Sequence, residues 1–83
     1  MLLYNTKDPD RITNLDTFTQ IKIIKVRDLD RYEIIGIVPY DIEYFIAIVN
    51  GKDAKEQARK ILKQIKDGYD NGSTSITITA DIN

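Results

Sequence analysis

Up to Asn50 the apolar residues come in short β-branched runs; from Ala54 they recur at helical spacing. The opening "MLLY" predicts a short strand, ended by the turn formers Asn5, Asp8, Pro9 and Asp10. "ITNLD" follows with Ile12 and Leu15 apolar. Then comes "TFTQIKIIKVRD", residues 17–28, expected as the longest strand. Its alternation slips, because Ile21 and Ile23 share one parity and Ile24 and Val26 the other, which predicts a bulge near Ile23 and Ile24. Beyond the charged turn "RDLDR", the runs "YEIIGIVP" and "EYFIAIVN" read as two further strands, broken at "PYDI" by Pro39. Both are apolar on both parities: Ile34, Val38, Tyr44, Ile46 and Ile48 on one, Ile35, Ile37, Phe45, Ala47 and Val49 on the other. A sheet with one wet face alternates more cleanly than this.

After Gly51 the period changes. Asp53 is placed as an N-cap with Glu56 three residues on, a capping-box pattern, and Ala54, Ala58, Ile61, Leu62 and Ile65 form one helical face. Gly68 is expected to end this helix, residues 53–67, in the left-handed conformation. After the turn cluster "DGYDNG", Ile76 and Ile78 alternate with Thr77 and Thr79, which predicts a last strand over 74–80, the alternative being a frayed tail. The expected fold is α+β: one domain over residues 1–83, with an antiparallel β-meander of four to five strands within 2–49 and one amphipathic helix on a face. A helix of about fifteen residues spans roughly 22 Å and covers one face only. The other face then needs the N-terminal segment, the C-terminal strand or a second copy, and a homodimer through that uncovered face is the expectation.

The 83 residues carry 42% hydrophobic and 30% charged side chains, ordinary for a chain that folds around one small core. Cysteine and histidine are both absent. That removes disulfides, thiolate and imidazole metal sites, and the Ser/His/Asp and Cys/His nucleophile arrangements. The thirteen acids are spread through turns, where they read as solvated loop charges. "DGYDNG" fails as a calcium loop, since Tyr69 and Ile78 stand where acidic ligands belong, and "NGKDA" lacks the first glycine and the hydroxyl residue of a phosphate loop. The expectation is therefore no enzyme, no cofactor and no metal. With no signal-like start and no apolar run of spanning length, a cytoplasmic protein without a membrane contact is expected.

Charge is unevenly placed. Lys52, Lys55, Arg59, Lys63 and Lys66 line one side of the helix and Lys60 adds a sixth cation. Over residues 52–66 these six face two carboxylates, a local charge of +4; the whole chain is −1, so the remainder carries −5. Such a stripe can meet phosphates or an acidic protein, and equally it can be the solvated side of an amphipathic helix, supported by the i,i+4 pair Glu56 and Lys60. Neither a helix-turn-helix pattern nor an aromatic stacking motif accompanies it.

"ITNLDTFTQIKII", "YEIIGIV" and "YFIAIVNGKDAKEQARKILKQIK" together resemble small single-domain β-meander-plus-helix proteins of low-GC Gram-positive bacteria and their phages. Ile12, Asn14, Leu15 and Asp16 carry the opening motif, with Thr13 inserted, and the likeness runs to about residue 66. The resemblance implies a fold and no activity. The functional expectation is a small non-enzymatic interaction or regulatory protein, of the kind by which a phage or mobile element inhibits a host or defence protein. The alternative is a nucleic-acid-binding accessory protein. The candidate surface comprises Lys52, Lys55, Arg59, Lys63 and Lys66 together with Tyr44 and Phe45 on the sheet.

Overall fold

The computed structural model describes residues 1–27 and 29–82. Its elements are β1 (Leu2–Asn5), β2 (Asp8–Asn14), a 3-10 turn at Leu15–Thr17, β3 (Gln20–Lys25), β4 (Arg31–Val38), β5 (Ile42–Asn50), α1 (Ala54–Asp70) and β6 (Ser75–Ile78). The fold is α+β, but the strands form two three-stranded sheets, ordered β2-β1-β6 and β3-β4-β5, where a single meander was expected. The difference lies at the chain ends. β6 exists as expected and pairs parallel to β1, with Leu3 opposite Ile76, so the first and last strands make a sheet that neither end can signal alone.

Several local expectations need correction. The acid- and proline-containing segment "DPD" is the start of β2, and Thr6 and Lys7 make the reversal. Pro9 fits there because β2 is an edge strand, where a missing N–H removes no ladder bond. β3 is only six residues long and β5, with nine, is the longest strand. Asp28, where the expected strand ended, lies outside the described residues. β3 and β4 pair without a break from Gln20 opposite Ile37 to Lys25 opposite Tyr32, so no bulge falls at Ile23 and Ile24. It falls in β5, where Ile34 opposes Ala47 and Ile35 opposes Phe45, leaving Ile46 as the extra residue. Both Ile46 and Ala47 are buried.

α1 packs across β3, β4 and β5 and reaches β6. Ala54, Ala58, Ile61 and Ile65 are buried on it as the spacing predicts, with Leu62 half-buried at the margin. Asp53 stands at the N-cap but its carboxylate makes no capping bond, so the capping box is not formed. Nor does Gly68 end the helix. It is buried within α1, where a Cβ would lie 2.8 Å from Met1 Sδ and 3.0 Å from Ile76 Cγ2, so the missing side chain lets the helix approach the β2-β1-β6 sheet. The left-handed residue is Gly72, at φ 68°: its N–H bonds the Tyr69 carbonyl (3.2 Å) and Ser73 N–H bonds the Gly68 carbonyl (2.8 Å), the Schellman closure.

The sheet face away from α1 is less bare than expected. Ile35 (3% exposed), Ile37 (9%) and Ile48 (5%) are buried within the single chain. Register sets Lys22 and Phe45 on either side of Ile35, and Gln20 and Glu43 on either side of Ile37, while Ile82 borders Ile48. Flanking side chains supply cover that was expected from a second layer.

The C-terminal segment joins the sheets. Asp81 exchanges backbone bonds with Ile48 on the outer edge of β5 (2.8 and 3.0 Å). Just before it, the buried Asn5 amide donates to the Ala80 carbonyl (2.8 Å) and accepts from Ala80 N–H (3.0 Å). The Asp81 carboxylate takes Lys7 (2.9 Å) and Asn50 (3.1 Å), and Arg31 holds Asn50 in turn (2.9 Å).

Asn5→Ala strands two buried backbone groups of Ala80 and is expected to cost about 2–3 kcal/mol in denaturant unfolding, with faster amide exchange at Asp81. An unchanged midpoint would show that Asn5 ties nothing together. Gly72→Ala forces a side chain into the left-handed region and is expected to cost about 1 kcal/mol by the same measurement.

Candidate interaction surfaces

The basic stripe is only half as positive as residues 52–66 imply. Continuing α1 to Asp70 adds two carboxylates in its last turn, and Lys63 bonds Asp67 (2.8 Å) while Lys66 bonds Asp70 (2.6 Å). The hydrogen bond from Lys63, with its charge, holds the Asp67 carboxyl below the usual value, and the bond from Lys66 to Asp70 raises the lysine. These pairs also offset acids that stand at the unfavourable end of the helix dipole. Lys52, Lys55 and Arg59 have no ion-pair partner among the described residues, so the unneutralised part of the stripe is its N-terminal half. Lys60 is turned to the other flank, bordering a shallow groove with Gln64, Ala80 and Asp81.

On the stripe's inner side, α1 and β3 leave a groove of about 550 Å³ lined by Leu15, Phe18, Gln20, Ile21, Leu62 and Lys66. One end is closed by Asp16. Its carboxylate accepts the Met1 α-amino group (2.8 Å) and the Tyr69 hydroxyl (2.5 Å), linking β1, the 3-10 turn and the end of α1. The bond from Met1 and then that from Tyr69 lower the Asp16 carboxyl from its usual 3.8. Burial, followed by the carboxylate beside it, pushes the Tyr69 phenol up to about 12.

Tyr44 and Phe45, the sheet residues singled out by sequence, border a second groove of about 700 Å³ between β2 and the β4–β5 hairpin, with Arg11, Ile12, Phe18 and Val38. Gly36 positions it: a Cβ there would lie 2.5 Å from the Phe18 ring, so the ring rests on bare β4 backbone and meets Tyr44 at 6.3 Å between centroids. Beside the groove, the three-residue turn Pro39–Tyr40–Asp41 carries two non-glycine residues in the left-handed region, Tyr40 at φ 73° and Asp41 at φ 60°. Tyr40 is 96% exposed at that tip, and Ile12 (60%), Ile42 (53%) and Tyr44 (53%) extend an apolar surface from it. Sequence reasoning took "PYDI" only as a break and missed Ile12, Phe18, Tyr40 and Ile42 as surface. An aromatic residue in a turn of this length, followed by two apolar residues of one parity, was the available signal.

Thus the predicted site residues separate. Lys55, Arg59, Lys63 and Lys66 stay on the α1 side, Lys52 precedes the helix, and Tyr44 and Phe45 belong to the aromatic groove. Among the described residues no group of three or more acids is placed to hold a metal ion, and no helix is long and apolar enough to cross a membrane. No family model, curated protein or solved structure matches the chain.

The Asp16–Tyr69 contact has opposite consequences at the two ends of the pH scale. A raised phenol stabilises the fold fully below about pH 10, the usual tyrosine value, and that contribution is lost as pH rises towards about 12. A depressed carboxyl stabilises it above 3.8 and loses its contribution as pH falls through the lowered value. Ultraviolet titration is expected to show a phenol ionising near 12 that Tyr69→Phe removes and Asp16→Asn moves downward. The same late step in Tyr69→Phe would contradict the assignment.

Proposed function

We propose that the chain is a small protein-binding module that engages a partner protein through the aromatic groove and the Tyr40 tip. One observation carries this reading: an almost fully exposed tyrosine held on a turn whose two left-handed side chains cost stability, followed in β5 by exposed Ile42 and Tyr44, the latter sharing its groove with exposed Ile12. Tyrosine supplies large contact area with few torsions to freeze, which is why it recurs at binding hot spots. The groove is lined by Ile12, Phe18, Val38 and Phe45 with neutral polar side chains between them, and Arg11 is paired with Asp8 at 3.3 Å. A non-enzymatic role and a cytoplasmic location are part of the same proposal. The narrower reading, a mobile-element inhibitor of a host or defence protein, is supported by the sequence resemblance alone.

A second reading, binding to nucleic acid, is favoured by the unpaired cations Lys52, Lys55 and Arg59. It requires affinity for nonspecific DNA that falls steeply with salt. A homodimer through the outer sheet face is a further form of the protein-binding role, and a sedimentation mass of one chain removes it.

Affinity capture from host lysate compares wild type with Tyr40→Gly, Ile42→Ser/Tyr44→Ser and a charge reversal of Lys55, Arg59 and Lys63. Tyr40→Gly is expected to lose the partner while its melting temperature holds or rises, since glycine relieves the left-handed turn. Loss of the partner only in the charge reversal would overturn the aromatic site. In a salt titration, no binding to nonspecific DNA even at low salt is the expected result.

A further inference from the structure

We propose that β3 is a docking edge for an extended acidic segment of a partner protein, which adds to the β3-β4-β5 sheet as a further strand beside the basic side of α1. This surface is separate from the aromatic groove and does not rest on it.

β3 pairs on one side only, with β4. Val26 N–H bonds the Arg31 carbonyl at 2.9 Å, so with this register the bonded pairs are Ile24 with Glu33 and Lys22 with Ile35. The backbone groups of Ile21, Ile23 and Lys25 therefore point away from the sheet, and none has a hydrogen-bond partner among the described residues. They form a template of the kind that accepts an added strand. The other sheet has two edges: β2 is interrupted by Pro9 and by a three-residue shift in register between Asp8 and Ile12, and β6, only four residues long, lies beside α1, whose Gln64 amide donates to the Thr77 carbonyl (3.4 Å).

Charge decides which strand fits. β3 reads QIKIIK, two lysines and no acid. α1 follows β5 through the short turn at 51–53 and so runs opposite to β3: Leu62 and Lys66 stand by Gln20 and Ile21, and Arg59 and Lys55 continue towards the Lys25 end. Lys22, Lys25, Lys55 and Arg59 all lack an ion-pair partner among the described residues. A second β3 would bring two more lysines to the ladder and no carboxylate, so the charge that disfavours self-pairing favours an acidic segment. Side-chain alternation sharpens the match. Ile21 and Ile23 lie on the α1 face, both half-buried and Ile21 beside Leu62, while Lys22 lies on the other. The docked segment alternates apolar side chains towards the helix with carboxylates towards Lys22, and its end meets Lys25 and Arg59.

The test uses the full chain, isotope-labelled, and a peptide of about six residues alternating valine and glutamate. The expected result is amide shifts and slowed exchange centred on Ile21, Ile23 and Lys25. Binding is expected to weaken about tenfold in Lys22→Glu/Lys25→Glu and to vanish when the peptide is N-methylated at alternate amides, which removes ladder bonds and keeps the charge. A valine–lysine peptide should not bind. Equal binding of the N-methylated peptide, shifts confined to the aromatic groove, or no binding at all would overturn the proposal. So would single-stranded DNA shifting the same amides more strongly than the acidic peptide, or assemblies of the chain alone growing with concentration.

Discussion

Two sheets and one helix share one core of Leu3, Leu15, Ile34, Ala47, Ile61, Ile65 and Ile78, and a buried amide holds the C-terminal tail between the sheets. Asn5 bonds both backbone groups of Ala80, giving the tail the pairing a neighbouring strand would give, and Asp81 then reaches the edge of β5. Buried amides are costly when unpaired, so a satisfied Asn at 8% exposure specifies one arrangement of the chain ends. The outer network of Lys7, Asp81, Asn50 and Arg31 closes the same junction in solvent, where each contact contributes less. Lys7, followed by Asn50, holds the Asp81 carboxyl below its usual value.

Close backbone approach shapes the rest. At Gly68 the helix comes down onto Met1 and Ile76; at Gly36 the Phe18 ring lies on the strand. The first contact fixes the end of α1 against β1 and β6, where Tyr69 meets Asp16. The second builds the wall of the aromatic groove. Both glycines occupy interiors of regular elements, where glycine is otherwise a weakening residue, and each is explained by what occupies the space of its missing side chain.

Local patterns in this chain were legible wherever one element's own periodicity decided the outcome. The buried face of α1, the strands β4 and β5 and the terminal β6 follow from spacing, because hydrophobic burial on one face demands a fixed period. The extent of the basic stripe was misjudged because the charge was counted only as far as Lys66, which left out Asp67, and because the helix was ended at Gly68, which left out Asp70. The bulge was placed two strands too early: the parity slip of β3 ends with Val26 outside the strand, whereas β5 absorbs Ile46 between two paired neighbours. Tyr44 and Phe45 were chosen as exposed sheet residues, and they border a groove whose other wall, β2, is distant in sequence.

By itself the sequence determined the α+β class, the absence of histidine and thiol chemistry, the helix face and the position of its cations. Those properties belong to composition and to single periodic segments. Tertiary structure alone decided that Asn5 is a core residue, that the strands divide into two sheets, that the outer face is covered by its own side chains and that β3 is left with an open edge. Each of these depends on which distant segments meet, and pairing across 75 residues leaves no local pattern at either end.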